Sequence, residues 1–221
     1  MAVIVSDTFT ELLADTTLQT HVPDTGTGWT EFSSCAVGRN FVVFFLLDDM
    51  GANGSSGNCI EIYTAQPDPS VAEYDVQVTT TVITTFTVNP AGLVARLTDI
   101  NNHYTAGSYI ASAAADKKIF KMVAGTRTEL ASGDNGLTAG DVFKFEVRDA
   151  TKKLYQNAVE ILSSTDNAIT GAGQAGLFEG AVWVNTDDVQ GVWRFDAFTV
   201  DEVAAAGATW PGWMSSRGGW V

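Results

Sequence analysis

Basic residues are scarce in this sequence: 12 Lys and Arg stand against 26 Asp and Glu in 221 residues, so the formal net charge is −14. Binding to a phosphate backbone needs clustered Lys and Arg that release counterions, and an anionic lipid surface attracts the same side chains. The sequence therefore argues against nucleic acid and membranes as partners. An acidic surface of this kind is typical of a protein that stays soluble at high local concentration.

Long hydrophobic runs are absent as well. Residues 1–7 include no basic side chain and too short an apolar run for a secretory signal peptide. The most apolar stretch, residues 41–47, is far shorter than the ~20 residues that cross a bilayer. We interpret it as a strand buried on both faces. We expect synthesis in the cytoplasm, with any release by lysis or a non-classical route.

The side chains that most enzymes use are few and isolated. Cys35 and Cys59 flank the apolar stretch and are interpreted as two buried thiols, with a disulfide across the hairpin left open. No histidine pair accompanies them, so they predict no zinc site. His21 is predicted to be a turn residue bonded to the backbone, and His103 a surface residue at a strand start. There is no Gly-x-Ser-x-Gly, His-Glu-x-x-His or phosphate-binding glycine loop.

Calcium is the one cofactor that the sequence leaves open. Asp and Asn residues at 99–102, 134–135, 166–167 and 187–188 offer oxygen ligands on loops. The same residue types are ordinary in turns, because their side chains bond their own backbone. We predict no metal site from them.

The sequence is rich in the signals of β-structure. Apolar or β-branched segments at 76–88, 92–97, 103–111, 118–123, 126–130 and 142–147 are separated by turn residues at 89–90, 99–102, 124–125 and 132–136. The only candidate helix is short, around residues 11–18. Regular strands with Gly, Asn and Asp turns predict an all-β fold, either a two-sheet sandwich or a closed antiparallel barrel.

The order of these segments resembles a known superfamily. The opening Asp7-Thr-Phe-Thr, Leu12-Leu13, the string His21-Val-Pro-Asp-Thr-Gly, and Trp29 are similar to the start of concanavalin A-like (laminin-G-like) jelly-roll domains, which phage structural proteins contain. Residues 74–78, 92–96, 142–147, 173–178 and 194–200 continue the likeness. The resemblance implies a two-sheet antiparallel jelly-roll sandwich over residues 1–203, with the first and last strands adjacent.

That adjacency has a consequence for the core. The resemblance implies that Phe9 shares one core layer with Phe195 and Phe198, and alternation along the last strand predicts that Asp196 points outward.

The glucanase branch of the superfamily has a Glu-x-Asp-x-x-Glu strand that supplies two convergent carboxylates. The nearest string here begins at Glu73 and Asp75, and Val78 occupies the position of the second glutamate. Without a general acid paired with a nucleophile, we expect no enzyme and no catalytic residue.

Sugar binding requires exposed aromatic rings with polar groups beside them. The glycan-binding candidates are Asn102, His103, Tyr104, Tyr109 and Trp183. An aromatic ring on a sandwich strand is also explained as part of the core.

A short irregular tail, residues 204–221, follows the sandwich. It includes Trp210, Trp213, Met214 and Trp220, while Pro211 and several glycines oppose a helix. Such an apolar segment either folds over its own domain or docks on a neighbouring subunit through its tryptophans.

These observations give two functional hypotheses of different class. The first is a non-enzymatic phage virion protein, as a capsid decoration, head-fibre or tail-associated component, made in the host cytoplasm and located in the virion. Its partners would be other virion proteins or further copies in a homo-oligomer. The alternative is a carbohydrate-binding module for cell-surface glycans, with a divergent glycoside hydrolase third.

Overall fold

The computed structural model describes residues 1–9, 18–33, 42–46, 49–53, 59–83, 91–109, 116–181 and 193–203. Within these ranges the chain forms β-strands and one short 3-10 helix, Leu18–Thr20, with no α-helix. No helix in the same ranges is long and apolar enough to cross a bilayer. The predicted helix around residues 11–18 falls almost wholly outside them.

One sheet has eight antiparallel strands, numbered in chain order. Across the sheet they run β13 (Val159–Thr165), β12 (Thr151–Gln156), β11 (Val142–Arg148), β6 (Tyr74–Ile83), β15 (Trp193–Glu202), β4 (Asp49–Asn53) and β3 (Val42–Leu46), with β1 (Ala2–Asp7) also paired to β15. The first and last strands are therefore adjacent, as predicted. Residues 42–46 of the predicted apolar strand form β3, at one end of this order.

The second sheet has seven antiparallel strands. Their order is β10 (Thr126–Asp134), β9 (Asp116–Val123), β8 (Asn102–Ser108), β7 (Ala91–Asp99), β14 (Gln174–Ala181), β5 (Cys59–Gln66) and β2 (Gly28–Ser33). Side chains from both sheets meet in one apolar core. The predicted all-β, two-sheet antiparallel sandwich of the jelly-roll type is confirmed.

The core is built from strands in which every second side chain is buried. On β11, Phe143, Phe145 and Val147 are buried, while the residues between them are half-exposed. Successive side chains of a strand point to opposite faces, so one face of β11 packs inward and the other faces outward. Strand β6 alternates in the same way, with Val76 and Val78 fully buried.

The last strand departs from this alternation. Phe195 and Phe198 are three residues apart and would face opposite sides of a regular strand, yet both are buried in the core with Phe9. The pairing of β15 shifts between Asp196 and Thr199, and Ala197 has a φ of 48°. This bulge turns both rings inward while Asp196 stays half-exposed, so the predicted arrangement is confirmed.

The hairpin turns match the sequence in part. Ala124 and Gly125, with φ of 48° and 75°, join β9 to β10 as the predicted two-residue turn. The predicted turn at residues 132–136 begins too early, because β10 continues to Asp134 and pairs there with Asp116. The strand ladder thus extends through a glycine that the sequence suggested as a turn residue.

The prediction for His21 was incomplete. Its Nε2 donates to the carboxylate of Asp7 at 2.8 Å, and the indole N–H of Trp29 donates to the same carboxylate at 3.0 Å. The backbone N–H of Phe9 completes the set at 2.8 Å. All three side chains are at least nine-tenths buried. The opening motif of the sequence therefore forms a buried polar anchor beneath β1, made of the Asp7 carboxylate and its three donors. The side chain of His21 has a side-chain partner in this anchor, which the sequence did not predict.

Candidate functional site

The four glycan-binding candidates that the structure describes, Asn102, His103, Tyr104 and Tyr109, do not form a common surface. Asn102 is the first residue of β8, directly after the turn from β7, and its amide nitrogen donates to both carboxylate oxygens of Asp99 at 2.9 and 3.0 Å. Its amide oxygen accepts from the backbone N–H of Ala124 at 3.0 Å. Both ends of this side chain are used to join two hairpin turns, which is a structural task.

His103 and Tyr104 point to opposite faces of β8, and both are buried. Tyr104 is 0% exposed, and its hydroxyl donates to Asp166 at 2.6 Å and accepts from the backbone N–H of Ile169 at 3.1 Å. His103 is 1% exposed, which corrects its prediction as a surface residue. Burial lowers the pKa of His103 to about 4. Neither ring presents a face on which a sugar could stack.

Tyr109 belongs to an apolar cluster on the outer side of the seven-stranded sheet. Its ring lies 4.7 Å from that of Phe120 and 5.8 Å from that of Phe178, and its hydroxyl shares a 2.9 Å hydrogen bond with Thr105. Phe178, Ile62 and other residues of this cluster are fully buried. This outer surface is therefore filled rather than open. Trp183 lies outside the described residues.

The outer surface of the eight-stranded sheet is different in character. We call it the polar face, formed by the outward-pointing residues of β6, β11, β12, β13 and β15: Asp75, Gln77, Lys144, Glu146, Arg148, Lys153, Tyr155, Glu160, Thr199 and Asp201. Their chain neighbours on β6, β11 and β15 are buried in the core.

Ion pairs hold the polar face together. Arg148 contacts the carboxylate of Asp75 at 2.6 Å and donates to the backbone oxygen of Tyr74 at 2.8 Å. Lys144 lies 3.5 Å from Asp75 and 3.6 Å from Glu146. The Asp75 side chain is only 4% exposed, because these cations cover it. Its burial is therefore compensated by charge-assisted hydrogen bonds.

Tyr155 is the aromatic residue of the polar face. It is half-exposed, and in register it has Lys144 on one side and Glu160 on the other. The ammonium of Lys144 lies 4.3 Å from the ring centroid. Next along β12, Lys153 pairs with Glu160 at 2.7 Å. A ring among carboxylates and ammonium groups combines stacking with hydrogen bonding.

The glucanase-like position can also be located. Val78, where the glucanase pattern has its second glutamate, is fully buried in the core. Asp75 lies on the polar face and is engaged by Arg148. Among the described residues, no group of three or more His, Cys, Asp or Glu could hold a metal ion.

Sequence reasoning missed Tyr155 and its neighbours. The polar face joins residues of β6 with residues of β12, which are far apart in the chain, and Tyr155 is a single ring in a polar segment. The tail residues Trp210, Trp213, Met214 and Trp220 lie outside the described residues, so the tail and its boundary stay predictions.

Solved structures similar to this chain share its fold. No family model and no curated protein matches the sequence. The carbohydrate-binding module CBM66 from Bacillus subtilis is 17% identical, with a TM-score of 0.56 over 80% of this chain and 97% of that module. A protein of unknown function with a galectin-like fold from Bacillus subtilis is 10% identical, with a TM-score of 0.55 over 91% and 96%.

A third similar structure is an enzyme. The GH43 protein BlXynB from Bacillus licheniformis is 14% identical with a TM-score of 0.60, over 90% of this chain but only 39% of the enzyme. At these identities the likeness concerns the fold alone. The chain is a two-sheet jelly-roll sandwich, a fold that it shares with this carbohydrate-binding module and this galectin-like protein.

Proposed function

We propose that this chain binds carbohydrate through the polar face, with Tyr155 at the centre of the site. The observation that carries the proposal is the placement of this ring. Among the aromatic residues whose burial is described, only Phe32, Tyr109 and Tyr155 are partly exposed rather than buried. The first two pack against the outer cluster of the seven-stranded sheet. Tyr155 alone of the three lies on an open polar surface.

The groups around this ring suit a sugar. One face of a pyranose is lined by C–H groups that pack on an aromatic ring, while its hydroxyls both donate and accept hydrogen bonds. Carboxylates of Glu146 and Glu160 accept from hydroxyls, and the ammonium of Lys153 donates to them. The amide of Gln77 does both, from the strand beyond Lys144. Rigid strands hold these groups, so little conformational entropy is lost when a ligand binds.

We propose binding without hydrolysis. Retaining and inverting glycosidases place two carboxyl groups on opposite sides of the scissile bond, one of them protonated. Here the position that would supply the second carboxylate is Val78, in the core. The carboxylates of Asp75 and Glu160 are already engaged by Arg148 and Lys153, at 2.6 and 2.7 Å.

The virion role predicted from the sequence receives no support from the three similar structures reported above. The tail through which such a protein would be anchored lies outside the described residues. Capsid decoration, virion partners, virion location and a homo-oligomer therefore remain predictions, and no observation on the described residues favours them over glycan binding.

Affinity measurements on single-site variants test the proposal. Calorimetry with glycans selected from a carbohydrate array should show that Tyr155→Ala weakens binding at least about tenfold, equivalent to about 1.4 kcal/mol. Tyr155→Phe keeps the ring and should retain most of the affinity. The matched control is Arg127→Ala, which removes an exposed side chain stacked at 4.6 Å on Phe120 of the opposite sheet. Equal affinities for wild type and Tyr155→Ala would refute the assignment.

A further inference from the structure

Resting on the proposed function, we infer that the ligand of the polar face is an uncharged polysaccharide, not one built from uronic acid or sulfated sugars. The inference comes from how the charges of this surface are arranged. A site for carboxylate or sulfate groups needs a cation whose donors are free to face the ligand. The polar face has three cations, and each is already engaged.

The first engaged cation is Arg148. Its two terminal nitrogens reach Asp75 at 2.6 Å, the backbone oxygen of Tyr74 at 2.8 Å and that of Val147 at 2.9 Å. Asp75 is almost fully buried, so turning the guanidinium toward a ligand would leave a buried carboxylate without its partner. Arg148 is therefore not available to an anionic sugar.

The two lysines are engaged closer to the ring. Lys144 is shared between Asp75, Glu146 and the face of Tyr155, at 3.5, 3.6 and 4.3 Å. Lys153 pairs with Glu160 at 2.7 Å. These pairs are part-exposed and could open at modest cost. The carboxylate released by each opening would nevertheless stay beside the ligand and repel an anion.

Acidic groups exceed cations on this surface. Asp75, Glu146, Glu160 and Asp201 face Lys144, Arg148 and Lys153. No described cation pairs with Asp201, whose carboxylate accepts from the hydroxyl of Thr199 at 3.3 Å. The whole chain carries a formal net charge of −14, which disfavours the approach of a polyanion. Sugar hydroxyls, in contrast, donate well to carboxylates.

The test compares two panels of polysaccharides at equal monomer concentration. The neutral panel contains dextran, arabinan, xylan and levan, and the anionic panel contains polygalacturonate, hyaluronan and dextran sulfate. We expect binding in the neutral panel only, with a Kd that changes less than about twofold between 0.05 and 0.5 M NaCl, because screening leaves an uncharged ligand unaffected. A best ligand in the anionic panel, weakened severalfold by salt, would overturn this inference and leave the proposed function intact. Binding in neither panel would overturn both.

A charge variant tests the pairing argument directly. Glu160→Gln removes the partner of Lys153 and should raise the affinity for dextran sulfate severalfold above that of wild type. The matched control is Glu129→Gln, which removes an exposed carboxylate paired with Lys118 at 3.0 Å on the other sheet. Equal gains in the two variants, or no gain in Glu160→Gln, would contradict the claim that paired cations on the polar face determine the ligand class.

Discussion

His103 is a buried histidine whose ionisation should make folding stability depend on pH. It is 1% exposed on the outer side of β8, and its Nδ1 has no hydrogen-bond partner among the described residues. Removal from water lowers its pKa from 6.5 to about 4, against the opposing effects of a backbone hydrogen bond at Asp99 and of the Asp99 carboxylate. The folded protein therefore resists protonation of this ring.

The sign and size of the effect follow from this difference. Between pH 6.5 and 4 the unfolded chain binds a proton at His103 and the folded protein does not, so acid stabilises the unfolded state. The contribution is complete above pH 6.5 and is lost as pH falls to about 4. At about 1.4 kcal/mol for each tenfold change in proton affinity, the loss is about 3 kcal/mol.

The assay is urea unfolding of wild type and His103→Leu at several pH values from 7.5 to 4. The free energy of unfolding of wild type minus that of the variant should be constant above neutral pH and fall by about 3 kcal/mol at the acid end. Thr105→Val, on the same side of the same strand, is the non-titrating control, and its difference from wild type should not vary with pH. A difference between wild type and His103→Leu that is flat across the range would refute the burial argument.

Three other changes test the packing of the sandwich. Lys152 is fully buried, and desolvation lowers its pKa from 10.5 to about 8. The unfolded chain then binds the extra proton between pH 8 and 10, so the free energy of unfolding of wild type relative to Lys152→Met should rise by about 2 kcal/mol over that interval. Gly176→Ala would drive a Cβ into the backbone oxygen of Tyr63 and should cost about 1–3 kcal/mol or more in urea unfolding. Gly171→Ala, with nothing within 4 Å, should be near neutral, and equal losses would contradict the clash. Asp7→Asn turns one oxygen of the buried anchor into a donor and should lower the free energy of unfolding by about 3–5 kcal/mol, whereas a loss below about 1 kcal/mol would mean that the anchor is not needed.

The fold could be predicted where the sequence repeats simple rules. Strand β11 alternates apolar and polar residues without interruption, and the turn at Ala124 and Gly125 between β9 and β10 is where the sequence predicts it. Several strands were not singled out, and β12 shows why. Lys152 occupies a core-facing position there, held by the backbone oxygens of Asp149 and Asp166. A charged side chain at a buried position interrupts the alternation of apolar and polar residues by which a strand is recognised in a sequence.

The candidate site could not be predicted because it depends on pairing between distant strands. His103 precedes the core residue Tyr104 on β8, so alternation puts its side chain on the outer face of the sheet, which is normally exposed to solvent. The outer side of the seven-stranded sheet is filled as well, so the rule fails for β7 and β8. Tyr155 has no local signal of function. Its position on a polar surface follows only from the order of the strands in the sheet, in which β12 lies two strands from β6 with Gln77. The sequence alone does not give that order.

The most direct test of carbohydrate binding at the polar face is chemical-shift mapping. A 15N-labelled sample of the full chain is titrated with the neutral oligosaccharide that binds best, and the backbone amide chemical shifts are followed to saturation. We predict that the largest changes lie on β6, β11, β12 and β13, around Tyr155. Changes confined to the outer side of the seven-stranded sheet, or to the tail, would contradict the account.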